Sequence, residues 1–105
     1  MSMIRAEFFE SDEKLTGFRF SGHSGYAEAG EDVACAAVSS AVQLTVNLLD
    51  ALGFAPDVRV GDNVIRCKVT RPDSASDVIL QQLKLHFEAV LEEFPETIHI
   101  TISEV

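Results

Sequence analysis

Two residues in this chain have the types and spacing for nucleophilic chemistry: His23 and, twelve positions later, Cys35. A neutral imidazole can take the proton of a nearby thiol, which gives the Cys–His pair of covalent catalysis. Helical periodicity begins near Ala34 and so puts Cys35 in the first turn of a helix. Unpaired N–H groups and the positive end of the helix dipole favour an anion there and raise the thiolate fraction. On a helical wheel Cys35 lies at the border of the apolar arc, where it would be partly accessible. The competing reading is structural. Cysteine also serves as a small hydrophobe in a helix packed on a sheet, and a loop histidine can simply be solvated. That both groups flank one short loop favours the catalytic reading.

The residues between them leave further alternatives open. Asp32 either orients His23 as the third member of a triad or caps the helix by accepting the N–H of Ala34 or Cys35. The loop from Gly22 to Glu31 contains Gly22, Gly25 and Gly30, each able to take positive φ, and reads as a peptide-gripping loop or as a surface turn. It contains no phosphate-cradling fingerprint. Ser39, one turn after Cys35, is placed to supply a hydrogen bond near the site or to be an ordinary helical serine. Cys67, on the inward face of a strand, reads as core. The spacing of His23, Asp32 and Cys35 does not suit zinc, and neither a metal nor a cofactor is expected.

The elements that must position these groups follow from periodicity. Residues 3–9 and a stretch ending near Gly22 alternate as strands about the polar turn Glu10–Lys14. A helix runs from about Ala34 to Leu52, apolar over more than half its circumference, and Gly53 stops it. Two short strands near 56–60 and 63–70 join at Gly61-Asp62. A second helix over about 74–94 opens at Ser74 or Ser76 and closes at Pro95. The last strand, 97–103, turns Ile98, Ile100 and Ile102 inward. The expected fold class is α+β: a two-layer sandwich in ββαββαβ order, with a mostly antiparallel five-stranded sheet and two helices on one face. The surplus apolar arc of the first helix would pack on the second helix or form a subunit interface.

Length and charge bound the function. The 105 residues fit one domain, spanning 1–105. Eight Lys and Arg stand against 17 Asp and Glu, for a net charge of −9, which argues against direct nucleic-acid binding. The N-terminus reaches charged residues at once without the apolar core of a signal peptide, and no membrane span is expected. Two cysteines without a Cys-x-x-Cys pair fit a cytoplasmic protein with reduced thiols.

At Gly22-His23, Gly30-Glu31-Asp32 and Cys35-Ala-Ala-Val-Ser39 the sequence resembles the bacterial ribosomal-processing cysteine proteases, the Prp family. The resemblance spans essentially the whole chain. Ser24 replaces an Ala of the family pattern, and Val33-Ala34 a bulkier aliphatic pair; neither change removes a reactive group. The resemblance implies a cysteine endopeptidase that removes a short N-terminal extension, ending in aromatic residues, from large-subunit ribosomal protein twenty-seven. It implies Cys35 as nucleophile and His23 as general base and acid, with Asp32 and Ser39 supporting, in a homodimer. On that reading the amides opening the Cys35 helix would stabilise the oxyanion. Gly22, Gly25 and Gly30 would admit the peptide. Glu28, Glu31 and Asp32 would favour a basic protein tail, and Tyr26, Val38 and Val42 would line a pocket for aromatic side chains. The alternative is a non-catalytic ribosome-associated binding module of the same fold, against which the intact His23 and Cys35 argue.

Overall fold

A computed structural model describes residues 3–22 and 29–105, with the side chains of 29–33 left aside. Strands β1 (Ile4–Ser11) and β2 (Lys14–Ser21) form an antiparallel hairpin. Its turn residues Asp12 and Glu13 have φ of 52° and 64°, the paired left-handed conformation whose twist matches that of flanking strands. The hairpin is therefore longer and its turn tighter than the polar run Glu10–Lys14 suggests. Then follow α1 (Ala29–Ala51), β3 (Pro56–Gly61), β4 (Val64–Val69), α2 (Ser74–Glu93) and β5 (Ile98–Glu104).

The sheet order is β3-β4-β2-β1-β5, with every pairing antiparallel except that of β1 with β5. Helices cover one face, as the expected sandwich requires. Alternation in β1 and β2 sends Ile4, Ala6, Phe8, Phe18 and Phe20 to that face, and all five are buried. Phe87 of α2 meets this set, with its ring centroid 5.0 Å from that of Phe20 in an edge-to-face pair. Burial of rings of this kind contributes about 2–3 kcal/mol each and fixes α2 over the hairpin. A polar tie reinforces the seating: the Leu15 N–H donates to Asp77 Oδ1 at 2.8 Å.

Several boundaries differ from the sequence reading. Helix α2 opens at Ser74 as expected, and the residue before it, Asp73, caps it: its carboxylate accepts the N–H groups of Ala75 and Ser76, and the Ser76 hydroxyl accepts the Asp73 N–H. That reciprocal box satisfies the orphan donors of the first turn. Ile98 is buried as expected, but Ile102 is half exposed, because β5 is an edge strand whose far half no helix covers. In α1 the core takes Ala34, Cys35, Val38, Val42 and Leu49. Leu44, Leu48 and Leu52, which the wheel placed on the apolar arc, are exposed and form a stripe at i, i+4, i+8. By length and composition the window Ala34–Ala51 is apolar enough to cross a bilayer, more than the sequence reading allowed; here Val38, Val42 and Leu49 pack in the core.

Candidate active site

Helix α1 starts at Ala29, five residues earlier than its hydrophobic periodicity indicates. The polar and glycine residues of that opening, Gly30-Glu31-Asp32, carry no apolar signal, so periodicity could not find them. Three corrections follow. Cys35 lies in the second turn, not the first, and the dipole effect falls off within one turn. The first-turn amides of the described helix are those of residues 29–32, so they are not the N–H groups around Cys35 that the sequence reading aimed at an oxyanion. Asp32, the fourth helical residue, is not the N-cap. Gly30 and Glu31 are likewise helical rather than part of the loop.

The Cys35 side chain is 6% exposed and belongs to the buried cluster with Ala34, Val38 and Val42. It is more enclosed than the edge of a helical wheel implies. His23, Gly25, Tyr26 and Glu28 lie outside the described residues, as does Ser24. The side chains of Glu31 and Asp32 are also not described, so the imidazole–thiol geometry is not part of this structure.

The approach to that segment is well defined. Gly22 has φ of 85°, the left-handed region, and its N–H donates to the Asn63 carbonyl at 3.2 Å. A Cβ built on Gly22 would stand 2.5 Å from the Met3 carbonyl oxygen. Both the backbone sign and the lack of space therefore demand glycine at the residue before His23. The strand end is held between the start of β1 and the β3–β4 turn.

Beside this strand end lies a cavity of about 280 Å³. Ile4, Phe20 and Ser21 form its floor, Val38, Ser39 and Val42 its helix wall, and the β3–β4 hairpin from Val60 to Ile65 its far side. Its lining is chiefly apolar, which suits an inserted hydrophobic side chain. Val38 and Ser39 stand one turn beyond Cys35, and helical side chains lean toward the N-terminus, back toward the cysteine level. The cavity thus sits between the strand that leads into residues 23–28 and the helix that follows them.

The structure brings Val38, Val42 and Ser39 together as lining residues and leaves Tyr26 outside the described set. The hairpin wall of Val60, Gly61, Asn63 and Val64 was missed by sequence reasoning. A turn at Gly61-Asp62 is visible in the sequence, but the pairing of Val64 with Ser21 that carries it to the site is not.

The second cysteine differs. Cys67 is fully buried on β4 between Val58 and Phe18. Burial, with a smaller contribution from the Asp57 carboxylate, pushes its thiol up to about 11 from the ordinary 9.0. It is a core thiol, as expected.

Residues 3–99 match the family model described as cysteine protease Prp. The ribosomal processing cysteine protease Prp of Bacillus subtilis strain 168 is 31% identical over 91 residues, covering 85% of this chain and 81% of the relative. A solved ribosomal processing protease Prp from S. aureus, in complex with a substrate peptide, superposes with a TM-score of 0.85 at 25% identity, over 96% of this chain and all of that one. The same S. aureus protease with a covalently linked product peptide gives a TM-score of 0.82 at 26% identity, with the same coverage.

Proposed function

This chain belongs to the Prp family of cysteine proteases, and from that premise we propose that it trims the N-terminal extension of large-subunit ribosomal protein twenty-seven in the cytoplasm, acting through residues 1–105 as one domain. Cys35 is the nucleophile and His23 the general base and acid. His23 takes the thiol proton, and the Cys35 sulfur attacks the scissile carbonyl carbon. Collapse of the tetrahedral intermediate breaks the C–N bond as His23 returns the proton to the leaving amine. Water, deprotonated by His23, then cleaves the thioester and frees the thiol.

The observation that carries this reading is the apolar cavity one turn beyond Cys35, bounded by the strand that leads to His23. It suits the aromatic residues that precede the cleavage point. The S. aureus relative's covalently linked product supports a covalent step in this family. Asp32, in place of its discarded cap role, orients His23, and Ser39 supports the site from the cavity wall. Gly22, Gly25 and Gly30 let the peptide backbone approach, Tyr26 and Val38 grip its side chains, and Glu28 and Glu31 attract its basic flank. The exposed Leu44, Leu48 and Leu52 stripe is the homodimer surface.

The test is incubation with tagged ribosomal protein twenty-seven carrying its extension, beside a substrate whose aromatic residues before the cut are alanine. A single cut in the first and a strongly slowed cut in the second is the expected result. Binding of the extension without cleavage would favour the non-catalytic module instead. His23→Ala is expected to leave the substrate intact.

A further inference from the structure

The sheet face turned away from the helices carries five of the eight Lys and Arg residues of this acidic chain. Register places Arg59, Arg66 and Arg19 directly opposite one another on β3, β4 and β2, in a row continued by Glu7 on β1 and Thr101 on β5. Lys68 stands one row to one side and Arg5 one row to the other. All five cations are exposed.

Their charge is little neutralised. Asp57 approaches Arg59 at 3.7 Å, with both side chains largely solvated. Glu7 faces Arg19 across the strands, yet its carboxylate accepts the Ser103 hydroxyl at 2.7 Å. Arg66 lies over the Phe9 ring, 5.4 Å from its centroid. Among the described residues Arg5, Arg19, Arg66 and Lys68 form no ion pair. Like charges set directly opposite in a sheet weaken it, so a row of three arginines costs stability in the isolated fold. An anion laid across the row would remove that cost.

We propose that this open face binds the phosphate backbone of an RNA strand. Four strands at ~4.8 Å spacing give an oblique track from Arg59 to Arg5 of about 15 Å, which suits a continuous polyanion crossing the strands. Guanidinium forks bind phosphate oxygens in bidentate fashion, and the hydroxyl of Thr101 adds a neutral donor in the same row. The choice of RNA over another polyanion rests on the ribosomal-processing reading. The net charge of −9 does not oppose this locally. Of the 17 acids, Glu7 stands opposite Arg19 and Asp57 opposite Lys68 on this face, and the Debye length of ~8 Å at physiological salt screens distant acids while contact charges persist.

The test uses fluorescence anisotropy of an unstructured 20-nucleotide RNA against the full chain, with a 20-residue polyglutamate as competitor. Binding at 50 mM salt should weaken as salt rises, with a log–log slope of about −3 for four phosphate contacts. Arg19→Gln/Arg59→Gln/Arg66→Gln should weaken it at least tenfold and flatten the slope toward about −1. That variant should melt no lower than wild type, because a like-charge row is gone. If it does not fold, Arg66→Gln alone decides, with an expected loss of about threefold. Absence of RNA binding at 50 mM salt, affinity unchanged in the variants, or polyglutamate displacing RNA at equal charge would overturn the proposal. Cleavage of a short peptide should be unaffected by these changes on the opposite face. RNA binding as described without any peptide cleavage would therefore remove the protease reading and leave this surface standing.

Discussion

Cys35 and Cys67 are both buried thiols in the same small core, at 6% and 0% exposure. Their settings differ in what lies a few ångströms further out. Cys67 stands mid-strand, with Phe18 and Val58 as its cross-strand neighbours, and its thiol is pushed up to about 11. Cys35 stands on a helix one turn before the wall of an apolar cavity. Burial by itself therefore does not separate an inert cysteine from a reactive one. On the proposed function, the substrate-sized space beside Cys35 and the base supplied by His23 do.

The strongest way to break that contrast is to exchange the two roles. Cys35→Ala is expected to lower cleavage of the extended ribosomal protein at least ~10³-fold, since on the proposed mechanism its sulfur forms the thioester. Cys67→Val, close in volume, should stay within about threefold of wild type. Loss of cleavage in folded Cys67→Val with survival in Cys35→Ala would invert the assignment.

Alkylation sharpens the same contrast without substrate. At pH 8 iodoacetamide should modify Cys35 about 100-fold faster than Cys67 where His23 takes the Cys35 proton as proposed, because the Cys67 thiol, pushed up to about 11, stays protonated. Peptide mapping after timed quenching gives both rates. Equal rates would mean that His23 does not act on Cys35.

Alkaline stability reads Cys67 alone. Its thiol loses its proton near pH 9.0 when unfolded and near 11 when folded. Between those values the unfolded chain binds fewer protons, so stability falls as pH rises and levels off above 11. The contribution of this group to the loss is about 2 kcal/mol, and Cys67→Val should remove it in urea titrations at pH 8 and pH 10.5. An identical alkaline loss in Cys67→Val would assign the effect elsewhere.

The smallest effect is steric. Cys67→Ala empties a little of the space beside Phe18 and should cost about 1 kcal/mol, a fall in Tm of several degrees with cleavage retained. A fall in cleavage larger than the fall in folded fraction would tie β4 to the chemistry.

Much of the fold was legible in the sequence, because alternation and helical periodicity record which face each residue buries. The order ββαββαβ, the inward set on β1 and β2, the arc of α2 and the core position of Cys67 all follow from that pattern. The family was legible too, since the residues around His23 and Cys35 carry its motif and the family model matches residues 3–99. The start of α1 was not, because Gly30-Glu31-Asp32 enter the helix without an apolar residue to mark them. Nor was the cap of α2, where Asp73, just before the expected opening at Ser74, accepts the first N–H groups.

What the sequence alone determined, then, is the local alphabet of this protein: element types, their buried faces and the residues able to do chemistry. Only the tertiary structure decided which segments share a wall or a face. It set Val64 beside Ser21 to close the cavity, and it aligned Arg59, Arg66 and Arg19 on one face of a chain whose total charge is −9. The physical reason is that strand pairing joins residues about forty positions apart through backbone hydrogen bonds common to every residue type. Side-chain pattern fixes the face of a strand, whereas its neighbour is chosen by the packing of the whole core.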